Sequence, residues 1–346
     1  MNIEKLIEKS RAREPFSREE IVAMLSFPSV SEQTMRLMAE GSRISRELTD
    51  NEAEVQGQFA LNLAPCPINC QFCSFSSEYE IFREQTQISV KQAVESAKLF
   101  DSNRENAAVL MMATADYSFG RLLETAQEVR RALDPSTLLI ANVGDMSLEN
   151  AKRMKESGFH GVYHAVRIGE GSRTRAPKKQ RLRSIRNFQE AGLVVGTCVE
   201  PIGPEHFNEE IAEHIMLAGS FDPAFSGAAR RITIPGSKLE THGMISELRM
   251  SQIVAVTRIA TPRSVTGNCS HEPCSLAAAA GASLFWAETG ANPRDIKEKT
   301  EEGRGLSVQG CADLFREADW QIRTQPSLYF SKTHQRLADP DLPLQV

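Results

Sequence analysis

Short apolar segments alternate with amphipathic segments from about residue 56 onward. The apolar segments are short and rich in aliphatic residues, as expected of buried strands, whereas those between them place apolar residues at helical spacing. The predicted strands are 57–63, 107–113, 137–143, 161–167, 193–199, 229–234, 259–266 and 282–288. The predicted helices between them are 89–100, 119–133, 147–157, 180–191, 207–219, 244–258 and 270–281. This alternation predicts a parallel sheet with helices on both faces.

Eight strands at this spacing predict an α/β fold, a (βα)8 TIM-type barrel, over residues 56–300. A doubly wound open sheet is the alternative, although neither a GxGxxG sequence after the first strand nor a P-loop supports it. Residues 1–55 are polar with apolar residues at roughly helical spacing, and they predict an N-terminal helical cap. Residues 301–346 are predicted to form a C-terminal extension, a helix followed from about Gln325 by an extended tail.

Composition narrows the function classes. The chain has 346 residues, 41% of them hydrophobic, and a formal net charge of −5, which argues against nucleic-acid binding through overall charge. It contains neither a run of about 18 apolar residues nor an apolar N-terminal signal segment, so we expect a cytoplasmic protein with no membrane partner. Seven cysteines in such a chain favour metal binding over a disulfide framework.

Three of these cysteines lie close together in the sequence Cys66-Pro-Ile-Asn-Cys70-Gln-Phe72-Cys73, directly after the first predicted strand. In a parallel barrel this position is on the C-terminal face, where active sites form. Three thiolates this close in sequence are able to bind three corners of an iron–sulfur cube and leave its fourth iron open for chemistry. A zinc knuckle is the alternative, but zinc prefers paired CxxC elements and a fourth ligand, and no nearby His or Cys supplies one.

The CxxxCxxC spacing, with Phe72 just before the last cysteine, resembles the signature of the radical S-adenosylmethionine (SAM) superfamily. The resemblance implies that Cys66, Cys70 and Cys73 hold a [4Fe–4S] cluster whose open iron chelates SAM, and that Phe72 lies beside the adenine. In that superfamily the reduced cluster cleaves SAM, and the resulting 5′-deoxyadenosyl radical takes a hydrogen atom from the substrate. The resemblance also implies an electron donor such as flavodoxin or ferredoxin.

Several stretches resemble the biotin-synthase branch of this superfamily, namely 180–193, 199–205, 258–262 and 280–286. Ordinary biotin synthases hold a second, two-iron cluster with cysteines on strands two, three and five, but here only Cys198 on strand five remains. Archaeal-type lipoyl synthases, which also insert sulfur, resemble the chain at least as well. The resemblance therefore implies a sulfurtransferase that inserts sulfur at an unactivated carbon of a small-molecule or carrier-protein-bound acyl substrate. The alternatives are a hydrogenase-cofactor-type maturase or rearrangement enzyme, and a non-catalytic metal-binding scaffold.

Three further cysteines follow the last two predicted strands: Cys269, Cys274 and Cys311. Because this part of the chain reaches the same face of the predicted barrel, we predict that they hold a second iron–sulfur cluster, with Cys198 or His271 as a fourth ligand. In this branch such a cluster serves as a sacrificial sulfur source or an electron relay. The alternative is that the three are separate buried cysteines.

Polar residues near strand ends are the remaining candidates for cofactor binding. Thr114 follows predicted strand two, Arg167 and Glu170 lie at the end of strand four, and Glu205 lies in the turn after strand five. A glutamate there is suited to ribose hydroxyls and an arginine to a carboxylate, a role that Arg173 is expected to share. Arg173 belongs to a basic stretch over 167–186, which predicts either docking of an acidic carrier domain or a solvated helix face.

Overall fold

The computed structural model describes residues 2–63 and 65–331. The strands are β1 Glu52–Ala60, β2 Asn62–Leu63, β3 Thr86–Gln87, β4 Asn106–Met112, β5 Leu138–Asn142, β6 Gly161–Tyr163, β7 Val194–Gly196, β8 Val199–Ile202, β9 Phe225–Arg230, β10 Gly267–Ser270, β11 Leu284–Thr289 and β12 Gln321–Ile322. The helices are α1 Ile3–Arg11, α2 Arg18–Ser26, α3 Glu32–Thr49, α4 Val90–Asp101, α5 Phe119–Ala132, α6 Leu148–Glu156, α7 Lys178–Glu190, α8 Asn208–Ser220, α9 Glu247–Ala260, α10 Ser275–Ala279 and α11 Val308–Arg316. None of the helices in these described ranges is both long and apolar enough to cross a membrane.

One predicted strand is wrong. The apolar residues of the predicted strand 259–266 belong in part to α9, which runs to Ala260, and the strand itself begins at Gly267. Every residue of α9 from Met250 to Ile259 is buried. A helix that is buried all round has no polar face, so its apolar residues are not distinguishable from a buried strand by periodicity alone.

The main sheet is parallel, with its strands hydrogen-bonded in the order β7-β6-β5-β4-β1-β11-β10-β9-β8. Only Thr197 and Cys198 separate β7 from β8, yet β7 pairs with β6 and β8 pairs with β9 at the other end of this order. Backbone hydrogen bonds from Ala224 N to Val195 O and from Thr197 N to Phe225 O join the two edges. The segment 194–202 therefore links both edges of the sheet, and the predicted (βα)8 barrel fold is confirmed.

Alternate strand residues point into the barrel, and its lower half is filled with apolar side chains that include Leu110, Ile140, Phe225 and Trp286. Tyr329 and Phe330 close the amino-terminal end of the barrel. The Phe330 ring lies 5.7 Å from the Phe225 ring, and Tyr329 Oη donates a hydrogen bond of 2.8 Å to Ser283 Oγ.

The approach of Phe330 requires a glycine at residue 161, because a Cβ atom there would come within 2.6 Å of the Phe330 ring. Both Tyr329 and Phe330 are buried. The sequence predicts an extended tail here. The described part of the C-terminal segment instead turns under the barrel. Residues 332–346 of the predicted tail lie outside the described residues.

The N-terminal helices pack against the outside of the barrel, α3 on α9 and α2 on both α8 and α9. Apolar residues of these helices, such as Leu37 and Ile44, share one hydrophobic core with the barrel helices. Ser45 Oγ also donates a hydrogen bond of 2.6 Å to Gly281 O. The division into domains at residues 55 and 300 stays a prediction. The hydrophobic core is continuous across the first of these two boundaries.

Candidate active site

The cysteine loop, residues 65–77, follows β2 at the carboxyl-terminal end of the barrel. Asn69 holds the loop closed, since its buried Oδ1 accepts hydrogen bonds from Ser76 Oγ (3.1 Å), Ser77 N (2.8 Å) and Ser77 Oγ (2.7 Å). Cys66 N donates to Phe75 O at 2.6 Å and so joins the two arms of the loop. These bonds hold the thiols in one geometry.

Backbone hydrogen bonds also tie the cysteine loop to loops that follow other strands. Gln71 N donates to Arg173 O at 2.9 Å, and Arg173 lies between β6 and α7. Ser74 N donates to Pro293 O at 2.9 Å, and Pro293 lies after β11. The cysteine loop is therefore held between the neighbouring loops of the barrel instead of projecting freely.

Cys66, Cys70 and Cys73 all line one cavity, whose space of about 1150 Å³ includes a part open to solvent. Burial raises the pKa of Cys70 to about 11 against the opposing charge of Arg167, and burial also raises the pKa of Cys73. Metal binding releases the proton of such a thiol. Buried thiols that converge on one cavity are therefore suited to act as ligands of a metal cluster.

The donor set of the cysteine loop fits the cluster that the resemblance implies. Cys66, Cys70 and Cys73 come from one loop and line one cavity. Cysteine thiolates are the usual ligands of iron–sulfur clusters, and three of them leave one corner of a [4Fe–4S] cluster open.

Three of the predicted cofactor-binding residues line the cavity: Phe72, Thr114 and Arg167. Asn62 holds Thr114, because its Nδ2 donates to Thr114 Oγ1 at 2.7 Å and its Oδ1 accepts from Thr114 N at 3.0 Å. Arg167 Nε lies 3.5 Å from Glu200 Oε1. Burial opposes the charge on Arg167, but Glu170 and Glu200 raise its pKa, so the guanidinium stays protonated.

The other three predicted cofactor-binding residues, Glu170, Arg173 and Glu205, are not among the residues that line the cavity. The Glu170 side chain accepts a hydrogen bond of 2.8 Å from Thr174 Oγ1. Glu205 accepts hydrogen bonds from Arg173 at 2.6 Å and from Arg231. Burial raises the pKa of Glu205, but the hydrogen bond and the charge of Arg231 lower it to about 2. The cofactor contacts of Glu170, Arg173 and Glu205 stay predictions, and in this structure the two carboxylates are engaged by protein partners.

A buried group of charged side chains supports the wall on the side of β6. Arg181, which lines the cavity, contacts Asp145 Oδ1 at 3.4 Å and His164 Nε2 at 3.2 Å. His164 Nε2 in turn lies 3.0 Å from Asp145 Oδ1. Burial, with the charge of Arg181, lowers the pKa of His164 to about 4 despite Asp145. The imidazole is therefore neutral at pH 7, and Arg181 with Asp145 forms the charged pair.

Several polar residues of the cavity wall were not predicted from the sequence, among them Gln58, Glu288 and Arg294. Arg294 Nη2 donates to Glu288 Oε1 at 2.9 Å, and its Nη1 donates to Glu272 Oε1 at 2.9 Å. A signal existed for Glu288, because it is a polar residue on the mostly apolar strand β11, whereas Gln58 lies on β1 among three other charged or amide side chains. Arg294 lies in a long loop, where no periodicity points to the site.

Cys269, Cys274 and Cys311 lie in three different surroundings. Cys269 faces the interior of the barrel. Cys274 precedes α10, where its Sγ accepts a hydrogen bond of 3.4 Å from Ala277 N. Cys311 lies on α11, in the core outside the barrel wall, and its Sγ donates to Trp286 O at 3.3 Å. The three residues predicted to hold a second cluster therefore do not form one site, because the barrel wall separates Cys269 from the helices.

Comparison with known proteins agrees with the chemistry of the cysteine loop. Residues 65–218 match the model of the Radical SAM superfamily. The biotin synthase of Anaplasma marginale (strain Florida) is 26% identical over 256 residues, which are 69% of this chain and 78% of that protein. The biotin synthase of Corynebacterium urealyticum (strain ATCC 43042 / DSM 7109) is 25% identical over 259 residues, which are 72% of this chain and 75% of that protein.

Solved structures share the architecture over most of the chain. Methylornithine synthase (PylB) superimposes with a TM-score of 0.76 at 15% identity, covering 94% of this chain and 98% of that one. The FeFe-hydrogenase maturase HydG from Carboxydothermus hydrogenoformans has a TM-score of 0.75 at 19% identity, covering 92% and 78%. At such identities the likeness is one of fold. Residues 65–218 of this chain therefore carry a radical SAM domain, and the curated relatives agree with this assignment.

Proposed function

We propose that this chain is an enzyme that cleaves SAM reductively and takes a hydrogen atom from a substrate bound beside the cysteine loop. The observation that carries the proposal is that Cys66, Cys70 and Cys73 line one cavity together with Phe72 and Arg167. A bound [4Fe–4S] cluster supplies the electron for this cleavage. The match of residues 65–218 to the model of the Radical SAM superfamily supports the same class of reaction.

The residues around the cavity have separate tasks in this proposal. The cysteine loop provides three thiolates, and Phe72 provides an aromatic surface for the adenine. Thr114, held in place by Asn62, presents polar atoms to the amino group of SAM. Arg167 is charged and binds a carboxylate. Because neighbouring loops hold the cysteine loop, water is kept from the reacting atoms on that side.

Anaerobic reconstitution with iron and sulfide tests the reaction class. With flavodoxin, ferredoxin or dithionite as the electron donor, we expect the protein to convert SAM to methionine and 5′-deoxyadenosine, measured by mass spectrometry. Protein that carries a reducible cluster and yet forms no 5′-deoxyadenosine with any of these donors would refute the proposal.

Sulfur insertion is the first candidate for the step that follows. The support for it is that the curated relatives are biotin synthases. Dethiobiotin and an octanoylated carrier protein are the substrates to test, with the sulfur of a second iron–sulfur cluster as donor. We expect a thiolated product and the loss of protein-bound sulfide with each turnover. Unchanged sulfide after many turnovers would exclude the protein as the sulfur source.

A rearrangement or cofactor-maturation reaction is the second candidate, and one observation favours it. The three cysteines predicted to hold a sulfur-donating cluster lie apart, on both sides of the barrel wall. Under this candidate the product contains no added sulfur, and Cys274→Ser and Cys311→Ser leave product formation intact. A strict need for Cys274 or Cys311 in turnover, with normal folding, would count against it.

A further inference from the structure

A second set of metal-binding side chains lies at the bottom of the cavity. Cys198, Cys269 and His271, here called the lumen triad, bring two sulfur atoms and one ring nitrogen within 4.8 Å of one another. Both cysteines are buried in the barrel interior, and His271 also lines the cavity. The lumen triad shares no residue with the cysteine loop.

Strand geometry explains why these residues meet. Cys269 lies on β10, and His271 comes two residues after Cys269, directly beyond the end of that strand, so both side chains point into the barrel. Cys198 lies between β7 and β8 and faces the same interior. Gly227 of β9, the register partner of Cys269, allows the two strands to approach closely, because a Cβ there would come within 2.1 Å of the backbone oxygen of Cys269 and within 2.7 Å of its Sγ.

The close spacing of the lumen triad fits a single metal ion. Ligands bound tetrahedrally at about 2.0–2.3 Å from one ion are about 3.5–3.8 Å from each other. The observed spread of at most 4.8 Å is close to that value and requires only side-chain adjustment. Two thiolates and one imidazole are typical ligands of Zn²⁺ and Fe²⁺.

Polar atoms around the lumen triad are buried and have no hydrogen-bond partner within the described ranges. They are His271 Nε2, Tyr163 Oη and Trp286 Nε1. The His271 ring is stacked on Trp286 with centroids 4.1 Å apart, and it lies 4.9 Å from the Tyr163 ring. The imidazole is thus held by packing while its buried nitrogen lacks a partner, which is costly unless a ligand satisfies it.

We propose that Cys198, Cys269 and His271 bind one Zn²⁺ or Fe²⁺ ion at the bottom of the cavity. Three protein ligands leave a four-coordinate ion with one open position. Because His271 lines the cavity, that position takes water or a donor atom of the substrate, such as a carboxylate oxygen or a thiolate. This inference goes beyond the proposed function and does not depend on it, since it concerns different side chains and a single ion.

The test uses the full chain with Cys66, Cys70 and Cys73 replaced by alanine, so that the cysteine loop binds no metal. Anaerobic titration with Zn²⁺ is followed by desalting and metal analysis. We expect about one Zn²⁺ per chain and no acid-labile sulfide in protein as isolated. In this background His271→Ala and Cys198→Ser should each lower retained Zn²⁺ at least tenfold, roughly the loss expected when a protein ligand is removed.

Cys311→Ser in the same background is the matched control, because Cys311 is a buried cysteine outside the barrel wall. It should retain Zn²⁺ fully. Circular dichroism and the melting temperature establish whether each variant is folded. If Cys198→Ser does not fold, the His271→Ala variant alone tests the proposal. Three outcomes would each overturn the proposal. They are equal Zn²⁺ binding with and without His271, no Zn²⁺ binding in the parent protein, and a Cys198–Cys269 disulfide that persists in reducing buffer.

Discussion

The cysteine loop and the lumen triad each offer three metal-binding side chains, but their positions are determined differently. Cys66, Cys70 and Cys73 come from one loop, which is held by its own hydrogen bonds and by the loops beside it. The lumen triad comes from two places far apart in sequence, which only the closed barrel brings together. The three ligand atoms of the lumen triad lie within 4.8 Å of one another, which is close enough for one ion.

The difference shows why one set is readable in the sequence and the other is not. A loop motif keeps its spacing whatever the rest of the chain does, so the cysteine loop is visible as a pattern. The lumen triad depends on strand register and on packing beneath it, where Trp286 and Tyr163 hold His271. Changes to either set are therefore expected to affect one site and spare the other.

The largest expected effect comes from Cys70→Ala. Removal of one thiolate of the cysteine loop should lower 5′-deoxyadenosine formation by about 100-fold or more, beyond the loss expected for an outer-shell partner. Zn²⁺ binding at the lumen triad should be unchanged. Mass spectrometry of 5′-deoxyadenosine and metal analysis measure the two effects, with Cys311→Ser as control. Retained 5′-deoxyadenosine formation would contradict the assignment of the loop.

The next effect concerns the packing beneath the lumen triad. Phe330→Ala should lower the free energy of unfolding by about 3–5 kcal/mol, since it removes a buried ring at the closed end of the barrel. Urea denaturation measures this effect. The matched control is Phe207→Ala, whose ring is 73% exposed and whose loss should cost less than about 0.5 kcal/mol. Similar values for the two variants would show that residues 329–330 do not support the barrel.

A smaller effect is expected from Asn69→Ala, which leaves the cysteines in place but removes three hydrogen bonds within their loop. We expect the free energy of unfolding to fall by about 1–3 kcal/mol and cluster iron to be lost more readily, with Zn²⁺ at the lumen triad retained. Iron content after desalting measures the loop. Asn103→Ala, in a turn before β4, is the control, and equal iron loss in both variants would contradict the role of Asn69.

The smallest effect is a pH dependence. The pKa of His164 is lowered to about 4 in the folded protein, whereas the unfolded value is about 6.5. The unfolded chain therefore binds this proton at higher pH, so the stabilising contribution of His164 is present above pH 6.5 and is lost as the pH falls toward 4. We expect the melting temperature to fall over this range and the fall to be smaller in His164→Gln. His242→Gln, on the surface, is the control.

The sequence was sufficient for much of the fold and for part of the site. Strand–helix alternation predicted the barrel, and the CxxxCxxC spacing pointed to the thiols that line the cavity. The same reasoning failed where an apolar run was ambiguous, as at the end of α9, which is buried on all sides. The cofactor contact of Glu205 stays a prediction, and the sequence did not indicate that this carboxylate accepts hydrogen bonds from Arg173 and Arg231.

The sequence by itself determined what is local: the alternating elements, the spacing of the cysteine loop and the identity of each polar side chain. Tertiary structure decided which cysteines share a space. Cys269 and Cys311 both follow the last predicted strands, yet the first faces the barrel interior and the second lies outside its wall. The physical reason is that strand alternation and barrel closure fix the direction of a side chain, and both depend on partners far away in the chain.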